Sequence, residues 1–423
     1  MTSATLLLWI AGGVVTQLAI FLGMSFWQHW QDFRLLRKGI SSMAQSPPAS
    51  TEADLAPRLA WQGLREFKIV QKSFENAEED ICSFYLAPVD RQALPPFLPG
   101  QFLTFNLTTG APDDKPVVLT RCYSLSDSPD PRHYRISVKR AATPVGTTFA
   151  PGRSSTHLHA NVQVGDVLQV RAPSGHFYLD RSNQPVVLIG GGIGITPMLS
   201  MLNWCIAEQP NREVWLFYGA RNSRELMAQA HLASISINHP QVHLRICFSN
   251  PESTDVLGQH YHHHGRVTVD LLRQQLPLQP YHYYLCGPTP MMQSLVPALD
   301  DWGVPDANIH FEAFGPASIP RKSQQTSPAP HADTGKTTEQ PMVTFAKSGK
   351  QVAWDPTSTS LLDLAESLGI AVNSGCRAGG CGTCQTTLTG GEVSYRQTPD
   401  FDPEPGNCLL CVCIPKTPVT LDL

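Results

Sequence analysis

Cys376-Arg377-Ala378-Gly379-Gly380-Cys381-Gly382-Thr383-Cys384 places three cysteines at C-x4-C-x2-C, separated largely by small residues. That loop spacing lets thiolates converge on two irons of a plant-type [2Fe-2S] cluster, with one distant cysteine completing the set. A chain wrapped so tightly needs glycines where a side chain would clash or φ turns positive. A structural zinc site would favour two separated C-x2-C pairs instead, and simple buried thiols would need no such spacing. Cys408, Cys411 and Cys413 are the candidates for the fourth ligand. A cluster is a one-electron carrier, so the remaining chain should carry an electron source and a route out.

With 423 residues, the chain is long enough for two or three domains. Hydrophobic residues make up 42% and charged residues 16%, which describes folded domains. A formal net charge of −4 gives no footprint for nucleic acid, so no nucleic-acid partner is expected. Of the 11 cysteines, Cys82, Cys122, Cys205, Cys247 and Cys286 are scattered and the rest follow residue 375. Clustered, metal-spaced cysteines in a large chain argue for a reducing compartment and against a disulfide framework.

The first apolar run, LLLWIAGGVVTQLAIFLGMSFW from Leu6 to Trp27, has no charged side chain and is long enough to cross a bilayer; a transmembrane helix is expected over 5–28. Trp27 and Trp30 mark an interface, and Arg34, Arg37 and Lys38 follow, so the positive-inside rule places the later domains in the cytoplasm, on a single-pass inner or plasma membrane protein. A signal peptide would need a basic segment before the run, and a buried soluble helix is the other alternative. Residues 41–58 are small, polar and proline-containing, a tether.

Residues 60–180 alternate short β-rich runs (EFKIVQKSF, CSFYLAPV, QFLTFNL, YRISVKR, DVLQVRAP) with Pro, Gly and Asp, the pattern of an antiparallel barrel with little helix. Within them lie PGQF at 99–102, Arg121-Cys122-Tyr123-Ser124, ISVKR at 136–140, Gly152 to His159 (GRSSTHLH), and Gly165-Asp166. A phosphorylated planar cofactor needs a cation, backbone donors in a turn of small residues and an aromatic face, and this set supplies them. In this order the motifs resemble the flavin domain of the ferredoxin–NADP reductase superfamily. That resemblance implies Arg121 on flavin phosphate, Tyr123 against the isoalloxazine and Ser124 near its N5. It also implies Lys139 and the Ser155-Thr156 turn in the surrounding shell, with FAD preferred and FMN possible.

Residues 181–315 change character. VVLIGGGIGITPMLSML reads as a buried strand, a turn carrying Gly190, Gly191, Gly192 and Gly194, and a helix beginning near Thr196-Pro197. Such glycines let backbone approach a pyrophosphate at the helix N-terminus. Strand-like VWLFYGARN ending in Arg221, VHLRICF, and HYYLCGPTPMM alternate with helical stretches, giving a parallel sheet with ligands at the strand carboxyl ends. The same superfamily places its C-G-P segment, here Cys286-Gly287-Pro288, at the nicotinamide. It also places an aromatic residue at the domain's end against the flavin, which makes Phe314 the candidate, with Glu312 nearby. Arg221 and Arg224 are candidates for a 2′-phosphate, and no acidic residue directly after that strand selects NADH, so the donor stays NAD(P)H. The run His260 to His264 lacks completing ligands and reads as a solvated loop before a strand-and-helix stretch, GRVTVDLL.

Residues 316–340 are Pro, Ser, Thr and charge without periodicity, a flexible linker. From 341 to 423 come a strand pair (MVTFAKSGKQVAW), a helix (SLLDLAESLGI), the cysteine loop and short strands, the order of a β-grasp ferredoxin. The family's final ligand sits in a Leu-x-Cys-x-x-x-Pro setting, which Leu409, Cys411 and Pro415 match, so the resemblance implies Cys376, Cys381, Cys384 and Cys411 as cluster ligands.

The expected fold is therefore multidomain α/β and β: transmembrane helix, flavin barrel, nucleotide-binding domain, ferredoxin. The whole resembles reductase components of the phthalate dioxygenase or phenylacetyl-CoA epoxidase kind. That resemblance implies an NAD(P)H-dependent oxidoreductase with Ser124, Cys286, Glu312 and Phe314 at its reacting centre. The expected partner is a membrane-associated oxygenase, desaturase, hydroxylase or cytochrome acceptor. A NADH–quinone reductase subunit carries its ferredoxin before the flavin domain, which makes it the second choice. A redox-sensing iron–sulfur protein is the alternative of another class.

Overall fold

The computed structural model describes residues 60–423 except 62, 110–116, 144, 145, 147, 149, 315–339, 357, 378, 397, 398 and 400. The expected membrane span, the tether and nearly all of the expected linker lie outside the described residues. Among the described residues no helix is long and apolar enough to cross a membrane.

Six strands, β1 (Arg65–Phe74), β2 (Ile81–Pro88), β3 (Phe102–Thr109), β4 (Val117–Ser124), β5 (Tyr134–Lys139) and β6 (Val167–Ser174), pair antiparallel in the order β4-β3-β6-β1-β2-β5. A Leu125–Ile136 bridge joins the two ends of the order and closes the barrel. Its interior holds Phe67, Ile69, Phe84, Phe105 and Ile136, all fully buried, each contributing about 1.5–3 kcal/mol by leaving water. The sequence reading expected little helix here. The segment Arg153–Ala160 instead forms helix α1, with its N-terminal Gly152 extended, so the expected Ser155-Thr156 turn is the first turn of a helix.

The second sheet is all parallel: β7 (Val186–Gly191), β8 (Val214–Ala220), β9 (Val242–Phe248), β10 (His263–His264), β11 (His282–Gly287) and β12 (Ile309–Ala313), in the order β10-β9-β8-β7-β11-β12. Helices α2 (Ile195–Glu208), α3 (Gln229–Asn238), α4 (Val269–Gln275) and α5 (Thr289–Trp302) connect the strands. Buried apolar clusters lie on both faces of the sheet, as a parallel sheet requires. The order reverses at β7, where β8 continues to one side and β11 to the other. Ligand crevices of open α/β sheets form at such a switch point.

The histidine run departs from the solvated-loop reading. His263–His264 form the edge strand beside Cys247–Phe248. His262 and His260 each accept a backbone N–H through Nδ1, from Ile246 and Val256 respectively. These rings are structural, and the strand falls on them, not on the GRVT that follows.

The last sheet, ordered β14-β13-β19-β15-β17, contains β13 (Met342–Phe345), β14 (Lys350–Ala353), β15 (Gln385–Gly390), β17 (Asn407–Leu409) and β19 (Val419–Leu421). A ribbon of β16 (Val393–Tyr395) and β18 (Cys413–Pro415) and one helix, α6 (Leu361–Ser367), complete the domain. Ser360 caps α6 by accepting from the Asp363 amide at 3.2 Å.

Candidate functional site

The cysteine loop leaves α6 and brings four thiols together in two pairs. The backbone N–H of Cys376 donates to Cys381 Sγ at 3.2 Å, and that of Gly380 donates to Cys376 Sγ at 3.2 Å. Cys384 Sγ lies 3.2 Å from Cys411 Sγ. Two thiol pairs suit two irons better than one tetrahedral ion. Among the described residues no group of three or more His, Cys, Asp or Glu side chains is placed to hold a metal ion. Cys408 and Cys413 are buried in the domain core, whereas the partly buried Cys411 brings its sulfur to Cys384. The loop is held by Arg377, which has φ +54° and pairs with Asp363 at 3.4 Å and with Glu366. Gly382, at φ +72°, lies where a Cβ would meet the Phe401 ring at 2.5 Å, so only glycine fits.

Beside this loop lies a cavity of about 660 Å³, lined by Phe102, Arg121, Ser124, Glu312, Phe314 and Cys376 among others. Its walls come from the barrel, the end of the parallel sheet and the cysteine loop. Ser124 and Glu312 both face this cavity, and the Glu312 oxygen Oε2 is buried without a partner. Burial pushes the Glu312 carboxyl up to about 8, with the Ser124 hydrogen bond opposing. Cys286 stands opposite Glu312 in the β11–β12 register and is fully buried; burial, reinforced by the Glu312 charge, holds its thiol well above the ordinary range. It is therefore a neutral residue of the sheet core that lines neither cavity, and not a poised nucleophile.

Other predicted positions divide. Strand alternation puts Tyr123 on the face opposite Ser124, and its ring sits edge-on to Phe105 at 5.7 Å against the barrel core. The Ser155 hydroxyl is consumed internally, accepting from the Ala141 amide at 3.0 Å and donating to the Gly152 carbonyl at 3.2 Å. Its neighbours Ser154 and Thr156 have buried hydroxyls without partners, as do Arg171 Nε and Ser174 Oγ. Orphaned donors at the first turn of α1 fit a phosphorylated ligand. Ser154, Arg171 and Ser174 were missed by the sequence reading; the first was visible in GRSST, while the others carry no motif.

A second cavity, about 580 Å³, opens at the β7 switch point and is lined by Gly191, Gly192, Gly194, Arg221, Gly287, Pro288 and Phe314 among others. Gly194 is in the 3-10 turn that starts α2, and a Cβ there would fall 2.2 Å from the Cys286 carbonyl oxygen. Gly190 lies in the strand beneath, against Ile195. Thr196 and Pro197 are buried and start the helix instead of lining the cleft; Thr196 Oγ1 donates to the Ile193 carbonyl at 2.9 Å. Lys139 lines this cleft too and pairs with Asp80 at 3.2 Å and Glu225 at 3.6 Å. Glu225 also holds Arg221 at 2.6 Å, whereas Arg224 turns to Glu78 and Glu252.

Comparison with known proteins agrees with this division. Residues 188–296 match the oxidoreductase NAD-binding domain, and residues 343–416 match the 2Fe-2S iron-sulfur cluster binding domain. A flavohemoprotein of Bacillus cereus is 38% identical over 259 residues, 61% of this chain and 62% of that one. The chain thus spans about three fifths of the length of that relative. The flavohem-like FAD/NAD binding domain of nitric oxide dioxygenase from Vibrio cholerae O1 biovar El Tor is 34% identical, with a TM-score of 0.52, over 60% of this chain and 99% of that one. Phthalate dioxygenase reductase is 26% identical, with a TM-score of 0.48, over 85% of this chain and 98% of that one. These domains assign FAD, NAD(P)H and a [2Fe-2S] cluster to the chain.

Proposed function

We propose that this oxidoreductase, built from an FAD/NAD-binding module and a 2Fe-2S domain, carries electrons from NAD(P)H to a separate one-electron acceptor. One observation carries the reading: Phe314 lines both the nucleotide cleft and the central cavity, and Cys376 lines that same cavity. The three cofactor sites are therefore contiguous. Bound NAD(P)H, flavin and cluster would supply, in turn, hydride donation, conversion of a two-electron donor into single electrons, and export of those electrons.

The chain's own residues place and protect that chemistry. Gly191, Gly192 and Gly194 admit a pyrophosphate, and Pro288 and Phe314 bound the end of the cleft that meets the central cavity. Phe314 is 40% exposed, so its ring is free to yield its place to a nicotinamide. Arg121 lines the central cavity and presents a cation there. Glu312, neutral below pH about 8, keeps a buried negative charge out of the cavity and holds a proton within reach of Ser124.

The pH dependence has a definite sign. The folded-state value for Glu312 lies above the ordinary 4.5, so the fold favours the protonated group. This favourable term is full below pH 4.5 and declines as pH rises toward 8. Flavin reduction by NAD(P)H should fall as pH passes 8, and Glu312→Gln should flatten that limb while remaining within about tenfold of wild type at pH 7. Stopped-flow reduction rates from pH 6 to 9.5 check this; a Gln variant that keeps the limb contradicts it.

The acceptor is proposed to be a membrane-associated oxygenase, desaturase, hydroxylase or cytochrome, with the chain single-pass at the inner or plasma membrane and its domains in the cytoplasm. What supports this is the uncharged run from Leu6 to Trp27 and the basic residues after it. Deleting residues 1–40 should leave NAD(P)H–ferricyanide activity intact and lower electron delivery to membranes. Unchanged delivery would sink the anchored-acceptor reading.

A further inference from the structure

Asp127 lies just beyond the Ser124 end of β4 and meets α2, the helix that leaves the glycine-rich turn. Ser200 Oγ, on a fully buried residue of α2, donates to the Asp127 carbonyl at 2.7 Å. One turn further along, Asn203 Nδ2 donates to Asp127 Oδ1, also at 2.7 Å. From α3, His231 Nε2 donates to Asn203 Oδ1 at 2.9 Å, which fixes the end of the amide that faces the barrel. None of these four residues lines either cavity.

Both sides of this joint are stiff. On the barrel side, Asp127 Oδ1 also accepts from the Ser128 amide at 2.8 Å, and the buried Arg135 of β5 lies 3.8 Å from the carboxylate while pairing with Glu75 at 2.9 Å. Ser126, fully buried, shares a hydrogen bond with Ser137 of β5 at 2.9 Å, so the segment from Ser124 to Asp127 is fixed to the barrel wall. On the helix side there is a second close approach: a Cβ on Gly100, at φ +109°, would fall 2.6 Å from Met201 Cε. Gly100 belongs to the PGQF segment, which leads into Phe102 on the central cavity. A helix carries such a constraint along its axis, and Asn203 lies only about 12 Å from the first residue of α2, Ile195.

We propose that Asn203 is a positioning residue for hydride transfer: tied to Asp127, it sets the distance and angle between the nucleotide cleft at the start of α2 and the central cavity beside Ser124. Apolar contact is non-directional, whereas a hydrogen bond has a preferred length and angle, so the joint specifies one arrangement of barrel and sheet. The transferred hydrogen and its electron pair leave a C–H bond of the nicotinamide, which is oxidised, and form an N–H bond on the flavin, which is reduced. The rate of that step depends steeply on how the donor and acceptor are held. Nucleotide affinity, which is made at the glycine turn, does not depend on the joint. This inference rests on the electron-carrier reading above.

The test uses the whole holoprotein, with wild type set against Asn203→Leu, Asn203→Asp and Asp127→Ala. Anaerobic stopped flow over a range of NAD(P)H concentrations gives the limiting rate of flavin bleaching and the apparent Kd for the nucleotide. Amide hydrogen exchange of the nucleotide-free protein supplies a readout independent of turnover. In Asn203→Leu the limiting rate should fall roughly 10- to 100-fold, the cost of a displacement near 1 Å, while the apparent Kd stays within about threefold. C4-deuterated nucleotide should show a primary isotope effect, marking hydride transfer as the slowed step. Exchange over 126–128 and 200–204 should quicken roughly five- to tenfold, the worth of one hydrogen bond, with β7 and β11 unchanged. Asn203→Asp, which sets a carboxylate against that of Asp127, should lose as much, and it decides the matter if the Leu variant does not fold. Asp127→Ala combined with Asn203→Leu should cost no more than about threefold beyond either alone, because both remove one contact. A wild-type limiting rate in the Asn203 variants overturns the inference, as does a loss carried by Kd instead. A wild-type flavin that NAD(P)H fails to reduce would overturn the electron-carrier reading itself, which separates the two failures.

Discussion

Cys384→Ser should cut NAD(P)H-driven reduction of a one-electron protein acceptor by about 100-fold or more while leaving ferricyanide reduction within about twofold. Partners that merely orient a metal ligand are worth 10–100-fold in metal affinity, so a direct ligand costs at least the upper end of that range. Cys384 is 3% exposed and its sulfur is 3.2 Å from that of Cys411, so a serine there would replace one of the thiolates that would hold the cluster by a hydroxyl on a shorter bond. Ferricyanide is small enough to take electrons at the flavin cavity, and nothing in the barrel or parallel sheet depends on Cys384. Loss of both activities together would mean that the terminal domain is needed to hold the flavin site, and equal retention of both would remove the cluster from the electron route.

Gly194→Val should raise the KM for NAD(P)H by roughly 100-fold with FAD and cluster content unchanged. A Cβ at this position meets the Cys286 carbonyl oxygen at 2.2 Å and the Gly287 amide nitrogen at 2.7 Å, both backbone atoms that have no rotamer to yield. The turn must then separate from the end of β11, and the cleft between Gly191 to Gly194 and Gly287-Pro288 loses its shape. Overpacking of this kind costs about 1–3 kcal/mol, and the upper part of that range corresponds to the stated change in affinity. The barrel and the terminal domain have their own cores, so cofactor content reports that the variant has folded. A Gly194→Val protein with wild-type KM would show that the pyrophosphate is not bound at this turn.

The sequence and the structure coincide where chemistry forces a local pattern. The C-x4-C-x2-C loop, the glycine-rich turn and the alternating strands are dictated by short-range sterics, so they could be read before any contact was known. Resemblance prefers Cys411 over Cys408 and Cys413; in the fold Cys411 Sγ lies 3.2 Å from Cys384 Sγ, while Cys408 and Cys413 are buried in the core. What sequence could not supply was pairing at a distance. Tyr123 and Ser124 are neighbours in the chain but face opposite ways on β4. Ser155 carries a suitable hydroxyl that the backbone has already used, while Ser154 and Thr156 beside it have unpartnered ones. Lys139 and Arg221 look like free cations for a phosphate until Glu225, brought in after β8, is seen to hold both. The run of histidines reads as a loop because its strand exists only through pairing with β9.

The electron route through the shared cavity is tested most directly by mixing the whole holoprotein with NAD(P)H under anaerobic conditions and freeze-quenching it on the millisecond timescale. Flavin absorbance and the resonance signal of the cluster are followed together. Contiguity of the cleft, the cavity and Cys376 predicts that the cluster becomes fully reduced within a single turnover, directly after the flavin bleaches. A flavin that bleaches while the cluster stays oxidised over many turnover times would contradict the route and favour a sensing role for the terminal domain.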